Sequence, residues 1–95
     1  MKAYQLITTY TDYETHKSTT NVYRDIFLRI DDARMSLEQA VAVFKEDEKG
    51  SHYKGEPCRI ITDKKYTING LDNCYIEKSW GCGMLFEIIE VNIIS

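Results

Sequence analysis

Tyr4, Leu6, Thr8 and Tyr10 alternate with Ala3, Gln5, Ile7 and Thr9, the period of two that places successive side chains on opposite faces of a strand. A first strand is predicted over residues 3–11. Asp12 to Thr20 is polar and reads as a long exposed hairpin loop. Alternation resumes from Asn21 to Ile30, a second strand. Val22, Ile26, Leu28 and Ile30 share its buried face with Arg24, while Tyr23, Asp25, Phe27 and Arg29 share the wetter one.

After Asp31-Asp32 the period becomes helical, with Leu37, Ala40, Val41 and Phe44 on one stripe. Ser36 and Gln39 have the form of a capping box, and Gly50 is a natural stop, with Lys45 and Lys49 opposing the negative end of the helix dipole. An amphipathic helix is predicted over 36–49, with Ala33 and Met35 as an earlier start. Residues 50–57 hold two glycines and Pro57 and read as a loop. Beyond it, Cys58 to Thr62 and Tyr66 to Asn69 are short strands bracketing a turn at Asp63-Lys64-Lys65. Asn69-Gly70 is a second turn. Asn73 to Trp80 alternates again, Gly81-Cys82-Gly83 bends the chain, and Met84 to Ile94 is the longest strand. Its apolar residues lie on both faces, as in a strand central in its sheet or covered on both sides.

The order β-β-α-β-β-β-β leaves one helix to cover a sheet of five to six strands. An α+β fold follows: a single domain over residues 1–95, with a mostly antiparallel, curved sheet packed on one helix and its second face partly open. Ninety-five residues hold one core and no second domain.

Charge narrows the partners. Twelve basic and 15 acidic residues give a net charge of −3, interspersed along the chain, and no basic run exceeds Lys64-Lys65. Phosphate backbones call for a concentrated basic surface, so direct nucleic-acid binding is not expected. The densest acidic cluster, Glu46-Asp47-Glu48, lies between Lys45 and Lys49 and reads as a solvated helix end. Cys58, Cys74 and Cys82 are odd in number, and Met1-Lys2-Ala3-Tyr4-Gln5 holds no apolar signal region, so a reducing, cytoplasmic setting is expected. The apolar stretch Met84 to Ile94 is interrupted by Glu87, Glu90 and Asn92 and is too short to span a bilayer; no membrane role is expected.

Catalytic chemistry finds little footing. Cys82 between two glycines suggests an accessible thiol, but its only candidate bases, His16 and His52, lie in predicted loops. A bend between strands explains Gly81-Cys82-Gly83 more simply. His52, Cys58, Cys74 and Cys82 number four, as a structural zinc requires, yet lack the close paired spacing that organises such sites. Three buried apolar cysteines are the simpler account. No nucleotide or metalloprotease motif is present, and neither cofactor nor metal is expected.

The compositional excess is aromatic: seven tyrosines, with Phe27 and Trp80 beside them. Tyr13 and Tyr23 flank the hairpin loop, Tyr53 sits in the Gly/Pro loop, and Tyr23 and Phe27 share the wetter face of the second strand. Large rigid side chains of this kind bury area at low entropic cost, so Tyr13, Tyr23, Phe27, Tyr53 and Trp80 are the expected interaction surface. A short, mildly acidic, tyrosine-rich chain without a catalytic constellation resembles in style the small proteins of phages and mobile elements, many of which bind a larger host protein. The expectation is a non-enzymatic module that inhibits or regulates a larger partner protein or complex, a bacterial defence complex being one such partner. Two competing readings are a small-ligand or nucleotide-binding protein using the open sheet face, and a cysteine enzyme centred on Cys82. A homodimer through Tyr66 to Asn69 or through the first strand is a further expectation.

Overall fold

Alternating β-favouring runs at both ends of the chain form the middle of one sheet. A computed structural model describes residues 1–46, 52–53, 56–79 and 81–93, with only the backbone at 52, 53, 56 and 57. The elements are β1 (Lys2–Asp12), β2 (Lys17–Phe27), α1 (Ile30–Glu46), β3 (His52–Tyr53), β4 (Glu56–Pro57), β5 (Ile60–Ile68), β6 (Leu71–Lys78) and β7 (Cys82–Asn92). β3 and β4 pair only with each other. The remaining five strands form an antiparallel sheet in the order β2-β1-β7-β6-β5, so β1 and the apolar β7 are both interior.

The sheet has five strands rather than six because the two segments predicted around Asp63-Lys64-Lys65 are one strand. β5 is an edge paired with β6 alone, so three charges in a row remain in water there without breaking the ladder. Asp63 is also held by the Lys45 ammonium at the end of α1. The predicted hairpin loop of nine residues contracts to four, Tyr13 to His16, since polar Lys17 to Thr20 are solvated on an edge strand and still complete a ladder to Thr9, Tyr10, Thr11 and Asp12. Asp12 Oδ1 accepts from the Glu14 N–H at 2.9 Å, and His16 closes the turn at φ 58°. At the other hairpin, Asn69 and Gly70 adopt φ 52° and 77°, the two positive values a primed two-residue turn needs.

The helix starts six residues before Ser36. Ile30 and Ala33 fall in phase with Leu37, Val41 and Phe44, and burying that longer stripe outweighs a cap at Ser36. Arg29 O accepts from the N–H groups of Asp32 and Ala33, and Asp31 and Asp32 lie at the positive end of the dipole. The predicted stop at Gly50 lies outside the described residues.

One face of the sheet meets α1. Leu6, Cys74, Ile76, Phe86 and Ile88 pack there against Ala33, Leu37, Val41 and Phe44, and each large side chain so buried contributes about 1.5–3 kcal/mol. Phe44 and Phe86 meet edge to face at 5.9 Å between centroids. Lys78, only 2% exposed, lays its ammonium 4.0 Å from the centre of the Phe44 ring. Arg34 ties the helix to β6 through Asp72 at 3.1 Å. Among the described residues no helix is long and apolar enough to cross a membrane.

Candidate interaction face

Leu6 faces the helix, so its neighbours Gln5 and Ile7 face away from it, and the register carries that assignment across the sheet. Ile26, Gln5 and Ile89 form one row of the uncovered face. Val22, Ile7 and Glu87 form the next, continued by Asn73 and Tyr66. Thr20, Thr9, Leu85 and Tyr75 form a third. Aliphatic side chains therefore gather over β2, β1 and β7, with Gln5 and Glu87 among them, whereas Glu77 and Lys64 mark the β6–β5 side. Val22 and Ile26 are 55% and 51% exposed. Val22, Ile26, Ile7 and Ile89 thus form an apolar patch crossed by Gln5 and Glu87, and an exposed apolar patch is a candidate docking surface.

Tyrosines close one end of this face. Tyr13 leaves the β1–β2 turn, anchored by its N–H to Gly81 O at 2.8 Å, and its hydroxyl meets that of Tyr75. Tyr75 spends its single proton on Glu77 Oε1 at 2.9 Å, so Tyr13 is the donor in the tyrosine pair. Both hydroxyls lie over Gly83: a Cβ there would stand 2.8 Å from the Tyr75 oxygen and 3.2 Å from that of Tyr13. The glycine that reads as a bend is thus the floor of an aromatic contact. Burial, followed by the neighbouring Tyr13 and Glu77, pushes the Tyr75 phenol well above its ordinary range.

Of the five residues expected to form one surface, Tyr13, Tyr23 and Phe27 have described side chains, and they lie in three different places. Tyr13 belongs to the open face. Tyr23 is exposed at the β2 edge, where the strand departs from regular pairing with β1 and its carbonyl accepts from Gln5 Nε2 at 2.8 Å. Phe27 is a correction: it opposes Tyr4 and packs against the core beneath α1. The faces of β2 are reversed from the expectation because the chain enters α1 three residues after Phe27, which brings the helix over that side and leaves Val22 and Ile26 outside. Of Tyr53 only the backbone, in β3, is described, and Trp80 lies outside the described residues. Ile7, Val22, Ile26, Leu85 and Ile89 were not expected at the surface; the signal for them is the two-faced apolar pattern of β7 in a chain with one helix.

The cysteines occupy separate places. Cys74 is fully buried beside Phe86, 4.0 Å from Asp63 Oδ1, and burial raises its thiol above the ordinary range, with Asp63 adding to the effect. Cys82 is 8% exposed, against the accessibility its flanking glycines suggest, because Cys82 and Lys78 face each other on the helix side of the sheet. Four residues of β7 separate the rows of Cys74 and Cys82, roughly 13 Å along a strand. Among the described residues no three His, Cys, Asp or Glu side chains converge on a metal-sized site. In comparisons with known proteins, no family model, no curated protein and no solved structure matches the chain.

Proposed function

We propose that this chain is a non-enzymatic interaction module that regulates a larger protein by docking it on the uncovered face of the sheet. The observation that carries the reading is the aliphatic strip of Val22, Ile26, Ile7 and Ile89, closed at one end by the Tyr13–Tyr75 pair. Such a strip offers a flat apolar partner surface about 25 cal/mol for each Å² it covers, and the fixed tyrosines supply rigid area at low entropic cost. A phage or mobile-element origin, with a cytoplasmic host complex as the partner, is the setting in which a protein of this size and style fits.

Charge placed in the strip tests the proposal. Chain carrying Ile26→Glu is expected to capture at least tenfold less of the partner retained by the unaltered chain. Val43→Glu introduces the same charge at a 70% exposed site on the outer side of α1 and is expected to capture it fully. Equal capture by both folded variants would move the docking surface elsewhere.

A further inference from the structure

The two edges of the sheet are built differently. β5 carries Asp63, Lys64 and Lys65 in succession, charges that discourage another strand from adding. β2 instead presents six consecutive uncharged residues, Ser18 to Tyr23, all exposed. Thr19, Thr20, Val22 and Tyr23 among them favour extended chain.

Hydrogen-bond alternation fixes which backbone groups of β2 point outward. Tyr13 N–H donates to Gly81 O and Ile93 N–H to Met1 O, so odd-numbered residues of β1 bond β7 and even-numbered ones bond β2. Thr8, Tyr10 and Asp12 oppose Asn21, Thr19 and Lys17, which therefore spend their backbone groups on β1. Ser18, Thr20 and Val22 turn theirs away from the sheet.

We propose that β2 pairs with β2 of a second copy, antiparallel about a two-fold axis at Asn21, joining two five-stranded sheets into one of ten. In this register Thr20 faces Val22 of the other copy, matching outward groups with outward groups, and Ser18 faces its Arg24. Lys17 faces Asp25, twice by symmetry. Both side chains stand on the helix side: Lys17 opposes Asp12 in the row of Cys82, and Asp25 lines a groove with Phe27 and Met35. Among the described residues neither forms an ion pair within its own chain. Charge selects the register, because moving the axis to Thr20 or Val22 sets Lys17 against Tyr23 or Phe27 and leaves Asp25 without a cation. The inference stands apart from the proposed partner, since it uses the strand edge and is read as mass.

Sedimentation equilibrium of the full chain tests it. The unaltered protein is expected at twice its 11.1 kDa mass. Thr20→Pro deletes an outward N–H at a position where an edge strand tolerates proline, and is expected at monomer mass with an unchanged far-ultraviolet spectrum. Lys17→Glu sets like charges opposite each other and is expected to raise the dissociation constant about tenfold, with Lys17→Glu/Asp25→Lys restoring it. The exposed Lys17 variants carry the test if Thr20→Pro does not fold. Monomer mass for the unaltered chain at every concentration would overturn the proposal. So would a folded, dimeric Thr20→Pro, or a dissociation constant indifferent to both charge variants.

Discussion

Gly83 shows how a single missing side chain organises its surroundings. Two tyrosine hydroxyls from different parts of the chain meet above it, and one of them continues to Glu77. Gly83→Ala is expected to cost about 1–3 kcal/mol by displacing the pair, and markedly less in a Tyr75→Ala background, a coupling that a thermal double-mutant cycle reads directly. Tyr75 also ties stability to pH. Its proton is held more firmly in the folded chain than at the ordinary value of 10.0, so above that value the unfolded chain loses a proton that the folded chain keeps. The stabilisation is complete below pH 10.0 and declines as pH rises toward the folded value. Melting curves recorded across that range should fall more steeply for the unaltered protein than for Tyr75→Phe. Nothing in the sequence announces this contact, because Tyr13, Tyr75 and Gly83 come together only through the pairing of three strands.

The elements were legible where periodicity and burial agree. β1 and the Asn69-Gly70 turn fall where alternation and turn chemistry place them, as does the α1 stripe from Leu37 to Phe44, while β7 begins two residues early and takes Cys82 and Gly83 of the expected bend into its ladder. Boundaries failed where a local signal competed with a longer pattern: Ser36 and Gln39 look like a cap, yet Ile30 and Ala33 extend the same apolar stripe backward. The faces of β2 were reversed because alternation distinguishes two sides without saying which one a helix will cover. Phe27 settles that side by packing under α1. Phe44 is the other anchor of the helix, in contact with both Phe86 and Lys78. Phe44→Ala is expected to destabilise the fold by about 3–5 kcal/mol, a large share of the stability of a domain this size, and Phe44→Leu by clearly less; urea unfolding measures both.

Among the described residues the sheet is covered on one side, by α1, and that half-covered state was readable from one helix against a strand apolar on both faces. The residues that make the open face a docking candidate were not readable, because they depend on strand order. That order has a kinetic consequence. β1 pairs along its full length with β7, and the partners lie seventy to ninety residues apart in the chain, from Asp12 with Cys82 to Lys2 with Asn92. The β1–β2 and β5–β6 hairpins, by contrast, close over turns of a few residues. Folding therefore separates into quick local hairpins and a slow joining of the chain's two ends, with refolding expected in roughly milliseconds to seconds. Gly70→Ala, strained at φ 77° with open space around it, should chiefly slow folding in stopped-flow experiments, while Ile88→Val at the seam should chiefly hasten unfolding. Until the seam closes, β1 and β7 are both bare edges, so the interval before the ends of the chain meet is when this protein is most exposed to aggregation.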